Sequence, residues 1–107
     1  MLTNVMRRKV TVQKRTVTTG ALGDTETWAN AGSYWTRRSS VDVVTRQAYM
    51  SNNTIVTDRF LLNGEIDLCI ATHRLIYAGY IYQLVESARH VEGQTTVLTK
   101  KGAAYGS

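Results

Sequence analysis

The sequence contains no proline and a single cysteine, Cys69. Without proline, turns fall to Gly, Asn, Asp and Ser. One cysteine excludes an internal disulfide framework and any cysteine-rich zinc site, and a reducing compartment is the simple expectation. There is no run of about 18 apolar residues, which excludes a membrane-spanning helix, and no membrane partner is expected. The N-terminus passes from Met1 to Arg7-Arg8-Lys9 without an apolar h-region, so no signal peptide is expected. Catalytic motifs are missing as well: no glycine-rich phosphate loop, no G-x-S-x-G and no H-E-x-x-H. His73 and His90 lie on different segments without a carboxylate at ligand spacing. Cys69 lacks a partnered base and reads as a small buried or half-buried filler. Neither an enzyme nor a bound cofactor or metal is expected.

What is abundant points to strands. Thr, Val and Ile supply 31 of 107 residues, beside six Tyr and two Trp, and such side chains suit pleated, half-buried surfaces. The length allows one domain. Residues 8–18 read as a strand with Val10 and Val12 on one face; Val17 has the opposite parity and needs a bulge near Lys14-Arg15 to point inward. Residues 25–37 read as a second strand carrying Trp28, Tyr34 and Trp35, with a bend or close backbone approach at Gly32. Strands follow over 54–62, 65–70, 73–77 and 80–88, and a last one in the segment TTVLTKK after Glu92-Gly93. Asn63-Gly64 carries the strongest hairpin signal, and Ala78-Gly79 joins the next pair. The expected core is Val10, Val12, Trp28 or Trp35, Phe60 or Leu61, Ile66, Leu68, Ile76, Tyr82, Leu84 and Val97. Asp58 and Asp67 are expected to pair with Arg59 or Arg74. The fold class is mostly β: a small antiparallel barrel or sandwich over residues 8–100, with a flexible N-terminus (1–7) and a loose tail (101–107).

One long irregular excursion, residues 37–53, interrupts the strands. Val41, Val44 and Ala48 allow a short helix over about 41–49, capped by Ser40 or Asp42. A loop of this length in a small domain is usually functional. It holds Arg37, Arg38 and Arg46 against one acid, Asp42.

The net charge is +5, and residues 1–20 carry all of that excess in Arg7, Arg8, Lys9, Lys14 and Arg15. Two readings follow. Basic residues guard a strand edge against aggregation, or they form the electrostatic footprint of a polyanion-binding surface.

The order of features carries a resemblance. An aromatic strand from Thr27-Trp28 to Tyr34-Trp35 precedes an irregular middle segment, then Phe60-Leu61-Leu62. A hairpin follows with Arg74, Leu75 or Ile76, Gly79, Tyr82 and Leu84 in pattern. Over about residues 7–100 this resembles the head–tail connector proteins of tailed bacteriophages, in particular the stopper (head-closure, head–tail joining) family. Length and the lack of long helices favour the stopper over the neighbouring adaptor or tail terminator. The resemblance implies a small β-barrel made in the host bacterial cytoplasm and built into the virion neck as a homo-oligomeric ring. Its partners would be portal and adaptor proteins on one side, tail or tail-terminator proteins on the other, and packaged double-stranded DNA held without sequence preference. On that reading Arg37, Arg38 and Arg46 lie near the DNA channel or bridge to a neighbouring subunit. Arg7, Arg8, Lys9, Lys101 and Tyr105 contact subunits or partners. The competing reading is a small nucleic-acid-binding barrel that uses the basic first strand, with Trp28, Tyr34, Trp35 and Tyr49 as stacking platforms.

Overall fold

The computed structural model describes residues 8–105. Seven strands and one helix follow in the order β1 (Arg8–Gly20), β2 (Gly23–Ser40), α1 (Val43–Met50), β3 (Asp58–Asn63), β4 (His73–Tyr77), β5 (Tyr80–Leu84), β6 (Arg89–Val91) and β7 (Gln94–Ala104). All pairings are antiparallel, in the order β3-β2-β1-β4-β5-β7-β6. A further β3–β7 pairing closes six of the strands into a barrel, with β6 attached to the first residues of β7. The mostly β expectation holds, and closure selects the barrel over the sandwich.

Side chains alternate along a strand, so each strand contributes an inward row. Val10 and Val12, Thr36, Phe60 and Leu62, Leu75, Tyr82 and Leu84, and Thr95, Val97 and Thr99 are buried. The three threonines donate to the carbonyls of Leu61, Gly64 and Asp58 at 2.9, 2.7 and 3.1 Å, so their burial leaves no hydroxyl unpaired. Phe60 meets Tyr77 and Tyr82 edge to face, with centroids 5.2 and 4.9 Å apart.

Several expectations are corrected. Residues 65–70 are not a strand, and Asn63-Gly64 does not make a hairpin. Both edges of β3 are already taken, by β2 and by β7, so a returning strand has nowhere to pair. The chain instead crosses the barrel and inserts Leu68 into the core, leaving Ile66 half-buried and Ile70 exposed. Cys69, in the same segment, is exposed. Leu75, not Ile76, takes the inward position of β4. The tail is not loose as far as it is described: β7 runs to Ala104 along β5, and the Tyr105 amide donates to the Gly79 carbonyl at 2.9 Å.

The largest departure concerns the tryptophans. Neither is core: Trp28 is half-buried and Trp35 is 46% exposed. Trp28, paired with Arg15, stands at the root of a two-stranded arm, whereas Trp35, paired with Lys9, lies on the outer face of the barrel wall. β1 pairs with β4 only as far as Lys14, whereas its pairing with β2 continues to Gly20–Gly23. Six residues beyond Lys14 reach roughly 20 Å at about 3.3 Å per residue, and the molecule measures 53 × 33 × 28 Å. The register shift lies between Val12 and Gln13, opposite Gly32, rather than at Lys14-Arg15, so Val17 stays exposed on the arm. Gly32 has φ +147°, and a Cβ there would lie 2.7 Å from the Tyr34 hydroxyl.

Polar contacts fix the root of the arm. The buried Gln13 amide donates to Asn30 (3.0 Å) and to the Tyr105 hydroxyl (3.1 Å), and its oxygen accepts from Arg74 Nε (2.8 Å). The Arg74 guanidinium lies 4.2 Å from the Trp28 ring centroid, and Trp28 Nε1 donates to Glu26 at 2.8 Å. Trp28 thus serves as a platform for a cation instead of filling the core.

The excursion is mostly not a loop. Arg37 and Arg38 lie within β2, and only Arg46 lies on α1. Asp42 caps the helix by accepting from the Thr45 amide at 3.3 Å, and hydrogen bonding from Thr45, its side chain first and its amide second, holds the Asp42 carboxyl below the usual range. Val41, Val56 and Leu98, with Tyr49 and Val85, seat this segment on the outer face of β7.

Two outcomes follow. Leu84→Ala removes a buried side chain and costs about 2–5 kcal/mol in urea unfolding, whereas Trp35→Ala costs under about 1 kcal/mol. His73 accepts from the Cys69 amide at 3.1 Å, and burial, then Lys14, lowers its pKa from 6.5. The unfolded chain therefore binds more protons below about pH 6.5. Stability is full above that pH and falls as pH drops through it. Melting curves across this range flatten in His73→Asn, whose amide oxygen keeps the Cys69 contact.

Candidate functional site

The inward rows continue past the core at one end of the barrel, and there their chemistry changes. Two residues beyond Val10 on β1 stands Arg8. Beyond Thr36 on β2 stands Arg38, beyond Leu75 on β4 Tyr77, beyond Tyr82 on β5 Tyr80, and beyond Thr99 on β7 Lys101. Together with Ala78 they line a cavity of about 390 Å³. The barrel therefore ends in a mouth of three cations and three tyrosines, counting Tyr82 at its floor.

Charge in the mouth is only partly balanced. Arg38 Nη1 bonds to Asp58 Oδ2, and the Asp58 side chain is 8% exposed. Asp58 also accepts from the Thr57 hydroxyl at 2.7 Å. The Asp58 hydrogen bond raises the Arg38 pKa, which stays charged at any working pH. Lys101 Nζ sits 4.0 Å from the Tyr80 ring centroid, and Arg8 makes no ion pair among the described residues. Burial raises the Tyr82 phenol, with Asp58 adding to it. The mouth is thus a cationic recess with an aromatic wall, built to receive an anion or a π-face.

Sequence reasoning singled out Arg8, Lys101 and Arg38, the first two as partner contacts and the third as a channel residue; the structure brings them together. It separates the others. Arg37 points to the outer face of β2, opposite in parity to Arg38. Arg46 donates to the Val41 carbonyl at 3.2 Å on the helix. Lys9 lies over Trp35 at 5.1 Å, on the far face of β1. Tyr105 is engaged at the arm root. Arg7 lies outside the described residues. Asp58 and Asp67 do not find Arg59 or Arg74: Asp58 takes Arg38, and Asp67 lies 3.8 Å from His90. Tyr77 and Tyr80 were not expected at a site. Their signal was available, since they occupy the positions next along the alternating rows of Leu75 and Tyr82. Among the described residues no three His, Cys, Asp or Glu side chains gather as a metal site, and no helix is long and apolar enough to cross a membrane.

Comparison with known proteins adds a fold. Neither a protein-family model nor a curated protein matches the chain. Among solved structures, the solution structure of protein SF1141 from Shigella flexneri 2a, a structural genomics target, is similar with a TM-score of 0.76 at 19% identity. The likeness covers 96% of this chain and 98% of that one. The two share the architecture along nearly their whole lengths.

Arg38→Ala strands a nearly buried carboxylate. It costs about 1–3 kcal/mol in urea unfolding, less than for a fully enclosed pair because Arg38 itself is 40% exposed. Arg8→Ala and Lys101→Ala, whose heads meet no buried acid, leave the unfolding midpoint within about 0.5 kcal/mol of the parent.

Proposed function

We propose that this chain is a structural subunit of a tailed-phage neck, assembling into a homo-oligomeric ring between the portal–adaptor complex and the tail. The observation that carries the reading is the arm. Beyond Arg15, whose amide still donates to the Thr72 carbonyl at 2.7 Å, residues 16–27 form a two-stranded ribbon with no core of its own, and such a ribbon is marginal in water by itself. A chain that extends one is equipped to bind other subunits. Exposed Val43, Val44 and Met50 on α1 add apolar contact area of the kind assembly covers. The resemblance in the order of the aromatic strand, middle segment and Arg74–Leu84 hairpin supports the same reading. DNA-proximal charge in such a ring comes from the mouth, where Arg38 joins Arg8 and Lys101, and neutralises phosphates without reading sequence.

A second reading, a nucleic-acid-binding barrel, is favoured by the mouth itself, which sets cations beside tyrosine rings. Its platforms are Tyr77 and Tyr80, since Trp28 stands at the arm root against Arg74, Trp35 lies under Lys9 on the outer face of the barrel, and Tyr49 bonds to Glu86 at 2.7 Å.

Immunolabelled electron microscopy of phage particles separates the two. The neck reading requires label confined to the head–tail junction and particles that lose DNA when the chain is absent. The alternative requires a monomer that binds a fluorescent oligonucleotide with a log–log salt slope of about −2 to −3, as three cations at about 0.9 each would give. Label absent from the junction, with tight salt-dependent oligonucleotide binding, overturns the neck reading.

A further inference from the structure

A second cavity, of about 400 Å³, lies across the outer face of the barrel between α1 and β6. Its floor is Leu98, its walls are Thr45 and Tyr49 on one side, and Arg59 and Arg89 reach it from β3 and β6. Its one acid, Glu86, accepts the Tyr49 hydroxyl at 2.7 Å, a contact that raises the Tyr49 pKa. Arg59 and Arg89 make no ion pair among the described residues. The groove therefore presents two available guanidinium groups above an apolar floor.

The arm tip has the opposite character. Residues 16–27 contain Asp24 and Glu26 and no basic residue, in a chain of net charge +5. Glu26 is held by Arg15 at 3.2 Å and by Trp28. Asp24 accepts only the Thr19 hydroxyl, at 2.9 Å, and so keeps acceptor capacity. Next to it Leu22 stands fully exposed. An acid beside an unburied leucine is the chemical complement of two guanidinium groups beside an apolar floor.

Topology decides whether one copy can satisfy both halves. Around the closed barrel β7 is three strands from β1 in either direction, so the groove lies across the barrel from the strand that launches the arm. We propose that the arm tip of one copy, with Asp24 and Leu22 leading, seats in the Arg59–Arg89 groove of a second copy. The contact joins two different surfaces, so it repeats head to tail and closes into a ring when the rotation allows. The proposal rests on the self-assembly in the neck reading and names the surfaces that carry it.

The test is sedimentation velocity of the full chain from micromolar to millimolar concentration, at low and high salt. The wild type associates as concentration rises, and salt weakens the association. Asp24→Lys alone and Arg59→Glu/Arg89→Glu alone each weaken it at least about tenfold, the equivalent of one charge pair at about 1.4 kcal/mol. An equimolar mixture of the two reversed chains regains it, since each basic tip then meets an acidic groove. All altered residues are exposed, and circular dichroism confirms that each variant is folded; Leu22→Glu, at a fully exposed position, provides a third variant that weakens association. A wild type that stays monomeric throughout, reversals without effect, or a mixture that fails to recover overturns the contact. Label at the phage neck together with ineffective reversals removes the arm–groove contact and leaves the neck reading standing. Recovered association without label at the neck does the reverse.

Discussion

Strand β7 is hydrogen-bonded along both edges, and the rest of the structure depends on how it divides them. Residues 94–99 pair with β3 on one side, while on the other residues 94–96 pair with β6 and residues 99–104 with β5. That division closes the barrel, because β3 would otherwise be a free sheet edge. It also denies residues 65–70 a partner, so that segment caps the core through Leu68. A bulge near Gly102, where a Cβ would lie 3.1 Å from the Ile81 carbonyl, lets the strand follow β5 to its end. Lys101 is thereby carried to the barrel mouth, and Tyr105 to the root of the arm.

Closure also accounts for the two kinds of surface the molecule presents. Within the barrel each inward row ends where the apolar contacts end, and on β1, β2, β4, β5 and β7 the next residue is charged or carries a phenol hydroxyl at the protein–water boundary. That is how Arg8, Arg38, Tyr77, Tyr80 and Lys101 come to one opening. Outside it, β1 and β2 are longer than the barrel needs, and their surplus becomes the arm. The Gln13–Arg74–Tyr105 contacts and the Arg74–Trp28 stack sit where surplus and barrel meet, and they set the direction in which the arm leaves.

Much of this was legible in residue order. Alternation gave Val10, Val12, Leu84 and Val97 as core, and the turns Ala78-Gly79 and Glu92-Gly93 do join hairpins. Their positive φ values, 51° and 84° and then 50° and 76°, match the paired-turn geometry that short hairpins need. Asp42 was one of two candidate caps and is the one used. What misled was reasoning from size and local signal alone. Trp28 or Trp35 is expected in the core because large apolar side chains favour burial, but Trp28 falls where β1 and β2 outrun their neighbours, and Trp35 takes the outward parity of β2 beside Lys9, both long-range facts. Asn63-Gly64 has hairpin chemistry, yet pairing was decided by β7, thirty residues on in the chain. Arg37 and Arg38 were read as loop because β2 has an unbroken polar end with no apolar alternation to mark it as strand.

The central claim is that the barrel is complete in one chain whereas the arm is stabilised only by what it meets. Amide hydrogen exchange on the isolated chain tests it most directly. The account predicts that backbone amides of Val10, Phe60 and Val97 exchange only through global unfolding, while those of Val17, Thr18 and Thr25 exchange through local opening at far lower protection. Arm amides protected to the same free energy as the barrel in a dilute monomer would contradict it.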